Sequence, residues 1–208
     1  MMKKLTAILC CLLLLAGQAA MAAGDPYWEC ANCGNWSNTA YCSSCGYPRT
    51  EIALDGPNTA VQVTLNQRLA TRSGPGTEYD ELGSYFKAGT RLTALSAGWD
   101  ERNEIWWVQV EFNYGGEMRR AYTGLKRLDM NVNRVRTESP VCGARVIHNA
   151  TVYYGPGSNY TAHRNRIAAG TEGLVYWAEN GYAQFETYDY SQGVLRRFWI
   201  SVNDLMPD

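Results

Sequence analysis

The sequence predicts a mainly β protein: two small β-barrels in tandem, preceded by a short cysteine-rich segment. Three observations carry that expectation. First, Ser73-Gly74-Pro75-Gly76-Thr77-Glu78-Tyr79 returns 81 residues later as Tyr154-Gly155-Pro156-Gly157-Ser158-Asn159-Tyr160. A fixed-offset echo is the signature of an internal repeat. Second, short runs such as Val61–Leu65 and Trp106–Phe112 alternate with a period of two, as half-buried strands do. Third, the chain is rich in Tyr (14), Trp (7) and Gly (20), a composition of aromatic strands punctuated by turns. Helical periodicity over a dozen residues is absent after the N-terminal segment.

Residues 1–23 read as an export signal. Lys3-Lys4 form a charged start, Leu5 to Ala16 an apolar run, and Gly17 to Ala23 a small-residue cleavage region. The apolar run is shorter than the ~20 residues a membrane span needs. Cys10 and Cys11 lie inside it, and the residue before them is Leu9, so a lipid anchor is not expected. The expectation is a secreted, extracellular protein with no membrane span after cleavage. Removing Lys3 and Lys4 leaves 17 basic against 20 acidic residues, a balance of −3. That balance points away from nucleic acid, which wants a basic face.

Four cysteines follow within residues 26–47: Cys30, Cys33, Cys42 and Cys45, in a C-x2-C-x8-C-x2-C pattern. Each C-x2-C sets two thiols on one tight turn, and two such turns face to face make a tetrahedral site for a structural Zn²⁺. So short a segment buries little core, so a metal would supply most of its folding energy. Two disulfides are the competing reading, since export exposes the chain to an oxidising environment. An RNA-binding finger and a redox C-x-x-C fit less well, given the short interval and the lack of a helix start. The pattern resembles the short zinc-ribbon family at Cys33-Gly34, Tyr41-Cys42 and Cys45-Gly46, which implies a structural role. Trp28, Trp36 and Tyr41 are expected to cover the metal.

Residues 48–58 carry Pro48, Gly56 and Pro57 and read as a linker. Repeat 1 spans 59–130, a second linker 131–143, and repeat 2 spans 144–208. In repeat 1, Trp106, Val108, Val110 and Phe112 share one strand face, and Trp107, Gln109 and Glu111 the other. Trp106, Val108 and Val110, with Phe185 and Leu205 of repeat 2, are assigned to the cores. Gly115-Gly116 marks a hairpin. The Gly-Pro-Gly element is expected to form a type II turn, with Gly76 at positive φ. Gly89-Thr90 matches Gly170-Thr171 at an offset of 81, Gln109 and Glu111 match Gln184 and Glu186 at 75, and Arg119-Arg120 match Arg196-Arg197 at 77. Repeat 2 therefore loses six residues in one loop and regains two in a hairpin, as duplicated domains do. Cys142, just before repeat 2, reads as a small buried residue; an intermolecular disulfide or a catalytic thiol are the sharper alternatives.

The order Thr71-Arg72-Ser73-Gly74-Pro75-Gly76 with Tyr79, then Lys87-Ala88-Gly89-Thr90, Trp107-Val108-Gln109-Val110, and Ala121-Tyr122 with Leu128, resembles the bacterial SH3-like (SH3b) domain. Repeat 2 keeps Trp199-Ile200 with Leu205 but has Tyr153-Tyr154 in place of Arg72-Ser73 and Tyr182 at the strand Trp. The resemblance covers about two-thirds of the chain. It implies tandem SH3-like barrels that bind a cell-wall glycan or peptide, or a surface protein, and that often target an attached enzyme.

The candidate ligand-binding residues are Tyr79, Trp107, Tyr122, Tyr154, Tyr160, Tyr182 and Trp199, flat aromatics beside loops that suit stacking. Each has a bland alternative, closing its own barrel. An extracellular adaptor that docks a protein partner through the ribbon is the second expectation. Catalysis is not expected: His148 and His163 are the only histidines, and no nucleophile, metalloprotease or phosphate-loop motif occurs.

Overall fold

The computed structural model describes residues 28–30, 33–37, 42, 44–45, 60–83 and 86–208. The export signal and the 48–58 linker lie outside the described residues. The protein is mainly β, and among the described residues there is no α-helix.

Near the N-terminus β1 (Trp28–Glu29) and β2 (Trp36–Ser37) form a two-stranded antiparallel ladder. Repeat 1 contributes β3 (Val61–Thr64), β4 (Arg91–Asp100), β5 (Ile105–Tyr114) and β6 (Glu117–Gly124), paired antiparallel in that order. Repeat 2 contributes β8 (Cys142–Val146), β9 (Val152–Tyr153), β10 (Glu172–Glu179), β11 (Tyr182–Asp189), β12 (Val194–Ser201) and β13 (Leu205–Pro207), in the order β13-β8-β10-β11-β12-β9.

Both sheets are antiparallel along this path, and neither closes fully into a barrel. In repeat 2 the chain runs from β12 through a 3-10 turn (Val202–Asp204) into β13, which pairs with β8. In repeat 1 the same return is a single bridge, Leu65 to Leu128, flanked by bonds from Asn66 N–H to Arg127 O and Asp129 N–H to Thr64 O. A few hydrogen bonds are too few for a strand, so the ladder ends there.

The predicted alternation is present where one face is solvated. In β3, Val61 and Val63 are buried and Gln62 is exposed. Core 1 gathers Leu65, Leu69, Leu92, Val108, Val110 and Phe112, with Trp106 partly buried against it. Core 2 gathers Val146, Val152, Val175, Phe185, Ile200 and Leu205. Burying such side chains contributes ~1.5–3 kcal/mol each. Half-buried Cys142 opens β8 and packs against core 2.

Two connections position the site. Gly115 and Gly116 both have positive φ, as a two-residue type I′ hairpin requires. Between the repeats, β7 (Arg136–Thr137) pairs parallel with Ser96 and Ala97 of β4. Glu138 N–H then bonds to Ala97 O, and Val141 N–H to Val175 O. Segment 131–143 is thus tied into both sheets.

Candidate functional site

The Gly-Pro-Gly element is tighter than a type II turn. Gly76 N–H bonds to Gly74 O at 3.1 Å and Gly157 N–H to Gly155 O at 2.9 Å. A bond between residues two apart, across a residue with φ fixed near −65°, is an inverse γ-turn centred on proline. Gly76 is not at positive φ, whereas Gly157 is, at 152°. The first glycine of each copy is required for space. A Cβ on Gly74 would lie 2.1 Å from the Tyr79 ring, and one on Gly155 would lie 2.0 Å from the Tyr160 ring.

Each tyrosine, lying against its glycine, reaches into the other repeat. Tyr79 OH donates to Glu186 Oε2 at 2.5 Å, and Arg197 donates to the same oxygen from Nε (2.9 Å) and Nη2 (2.7 Å). Reciprocally, Tyr160 OH donates to Glu111 Oε2 at 2.5 Å, and Arg120 Nε donates there at 2.8 Å. The backbones dock with the same symmetry: Asp80 N–H bonds to Leu195 O, and Thr161 N–H to Met118 O. The two copies therefore meet through the same patch, in a pseudo-two-fold interface.

The network extends on both sides. Arg197 Nη1 also donates to Glu138 Oε2 and to Tyr122 OH, and Gln184 Nε2 donates to Tyr122 OH at 2.7 Å. Arg120 makes a two-pronged contact with Glu179, at 2.8 and 3.1 Å. Burial opposes the charge on both guanidiniums, yet their pKa values are raised: Glu179 and Glu111 hold Arg120 charged, and the Tyr122 hydroxyl, Glu138 and Glu186 hold Arg197 charged. Burial, helped by Glu186 against the opposing pull of Arg197, pushes the Tyr79 hydroxyl up.

This interface decides where the expected ligand-binding aromatics sit. Tyr79, Trp107, Tyr122 and Trp199 are buried. Trp107 Nε1 donates to Asp100 Oδ2 at 3.3 Å, and Trp199 lies under Arg120 at 5.3 Å. Tyr160 is half-buried against Glu111 and Arg120. Tyr154 is half-buried between Arg119 (5.0 Å) and His163 (5.5 Å). Tyr182 is half-buried, edge-on to Tyr153 at 5.6 Å.

The open surface lies elsewhere. A groove of about 440 Å³ runs along repeat 2, between residues 163–171 and the β11–β12 hairpin. Tyr188 and Tyr190 stand on its rim, 44% and 90% exposed, with ring centroids 4.9 Å apart. Arg196 is held by Asp189 at 3.0 Å and Asp80 at 3.5 Å. A second hollow of about 690 Å³ lies between the repeats, bordered by Pro75, Trp99, Tyr176 and Arg197. Sequence reasoning missed the groove residues and Glu138. The matched pairs Glu111/Glu186 and Arg120/Arg197 were the available signal for the interface.

The four cysteines converge as their spacing predicts. Their sulfurs all lie within 4.8 Å of one another. Cys30 and Cys45 are 3.5 Å apart, as are Cys33 and Cys42, far beyond the ~2.05 Å of a disulfide bond. Gly34, at φ 73°, turns the first pair, and its N–H bonds to Cys30 O. Burial would raise the Cys42 thiol, but the N–H groups of Ser44 and Cys45 and the neighbouring thiols bring it down to about 6. Four sulfurs at this separation are compatible with a metal site. Tyr41 and the side chains of Trp28 and Trp36 lie outside the described residues.

No protein-family model matches the chain, and no curated protein sequence matches it. Among solved structures, NlpC2 from Trichomonas vaginalis is similar at 12% identity and a TM-score of 0.26, over 72% of this chain and 49% of that one. The native structure of CBDP35 is similar at 12% identity and a TM-score of 0.20, over 72% of this chain and 97% of that one. This chain spans about half the length of NlpC2. Likeness at these scores carries no argument about function.

Proposed function

We propose that this chain is an exported, non-enzymatic binding protein that attaches to cell-wall material through its tandem SH3-like repeats. The observation that carries the reading is the repeat 2 groove. Its rim holds two exposed tyrosines beside hydrogen-bonding side chains, on a scaffold braced by the inter-repeat network. Aromatic faces with a few placed polar groups are what small recognition sites use. Tyr154 adjoins the groove through its contact with His163 and is the expected aromatic best placed to take part. Export rests on the Lys3-Lys4 start and the apolar run behind it. The four cysteines hold a structural Zn²⁺, the metal for which a closed tetrahedral thiolate set is typical.

Sedimentation of the mature protein with purified cell wall is the test. Wall-bound protein well above a serum-protein control is expected; sedimentation no better than the control would sink the reading.

A further inference from the structure

The geometry points to the repeat 2 groove as a carbohydrate site, one that takes a short run of sugar rings and not a peptide. This deepens the wall-binding reading above and rests on it. The two repeats differ here in a directed way. In repeat 1 the same place is filled: Phe86 packs edge-on against Phe112 at 4.9 Å and Tyr114 at 5.8 Å, and Leu82 packs on core 1. At the established offsets, repeat 2 has Ile167, Thr187, Asp189 and His163 in those positions. Large apolar side chains have become smaller or hydrogen-bonding ones, and a hollow of about 440 Å³ opens, within the range of small-ligand sites. The hairpin is also two residues longer, and that extra length carries Tyr190 out to the rim.

The polar groups suit hydroxyls. Among the described residues nothing bonds the Asn165 side-chain amide, which offers both donor and acceptor. His163 Nδ1 accepts the Asn165 backbone N–H at 3.3 Å, which assigns the ring proton to Nε2 as a donor. Burial, with Arg196 nearby, holds that imidazole below its ordinary pKa. Arg196 is matched by Asp80 and Asp189, and Arg166, the other guanidinium of the groove, donates to the Asn149 carbonyl at 2.6 Å. A sugar ring offers an apolar C–H face to Tyr188 or Tyr190 and hydroxyls that donate and accept.

A peptide finds less. Strand addition needs an open edge, and the backbone here is occupied. Ala150 and Ile167 exchange both bonds, at 3.0 and 2.9 Å, and His163 N–H bonds to Val152 O at 2.8 Å. On its other side β9 pairs with β12.

Nuclear magnetic resonance titration of the full mature chain with a neutral chito-oligosaccharide tests the assignment, beside a short alanine–glutamate peptide. Sugar should move the Tyr188, Tyr190 and His163 resonances. Tyr190→Ala, at an exposed position, should weaken binding about tenfold, the equivalent of ~1.4 kcal/mol. The double variant Thr187→Phe, His163→Leu restores the repeat 1 residues and should abolish it. The assignment is overturned if sugar leaves these resonances unmoved, if Tyr190→Ala binds as tightly as the parent, or if only the peptide moves them. Wall sedimentation is scored separately. A parent chain that sediments, with a groove that ignores sugar, overturns this inference alone; failure to sediment overturns the wall reading.

Discussion

Gly74 and Tyr79 form one unit, as do Gly155 and Tyr160. The ring occupies the space a Cβ would need, and from there the hydroxyl reaches the opposite repeat. Gly74→Ala should therefore destabilise the protein by ~1–3 kcal/mol, the usual cost of overpacking. Gly124→Ala is the control: φ there is −62° and nothing lies within 4 Å of the added Cβ. It should be neutral, or stabilise by ~0.4–1 kcal/mol through the unfolded chain. Tyr79→Phe removes a donor from a buried carboxylate and should cost ~1–3 kcal/mol. Urea denaturation of the three variants separates these outcomes; equal midpoints for Gly74→Ala and Gly124→Ala would refute the space argument.

The cysteine element and the two sheets are stabilised by different means. Each sheet has its own core, whereas β1 and β2 are two residues each and frame a thiol cluster. The cluster should hold about one Zn²⁺ per chain, and its folding should depend on the metal. Chelation should then expose four reactive thiols and unfold the cysteine element while sheet melting stays unchanged. Elemental analysis with thiol titration checks this; no metal and no reactive thiol at those four positions would indicate disulfides.

Across the whole molecule the repeats are joined by a buried ionic interface. Arg197 has a side-chain exposure of 3% and Glu138 of 1%. Removing one partner from such a pair leaves a charge uncompensated, so Arg197→Ala should cost ~3–5 kcal/mol. Arg145→Ala, whose pairing with Glu172 is exposed, should cost at most ~1 kcal/mol. The interface also sets an alkaline limit. Burial, with the bond to Glu111, pushes Tyr160 up to about 12, and burial beside Glu186 does the same for Tyr176 despite Arg197. A group with a raised folded-state pKa contributes stability that is complete below its ordinary value near 10 and is lost as pH rises through the folded value. Stability should fall between about pH 10 and 12, and the drop should be smaller in Tyr160→Phe. Denaturation midpoints across that window measure it.

The β class, the echoed Gly-Pro-Gly element, the hairpin at Gly115-Gly116, the alternation in β3 and the convergence of four cysteines are legible in the residues alone. Those features are local: they follow from a period of two, from the φ freedom of glycine, and from ligand spacing. Which aromatics remain open depends on packing between distant parts of the chain. Trp107 and Gln109 lie on the strand face opposite core 1, the face a single sheet would leave to solvent. Trp107 is held there by Asp100 and Gln109 by Tyr122, and Trp199, Tyr79 and Tyr122 are buried at the meeting of the two repeats. Periodicity reports how one sheet divides inside from outside; it does not report what docks on the outside. The ends of the ladders and the γ-turn are likewise set by a few bonds between distant residues and one ring contact. The groove belongs to the same level, because its lining comes from sites as far apart in the chain as Val152 and Phe198.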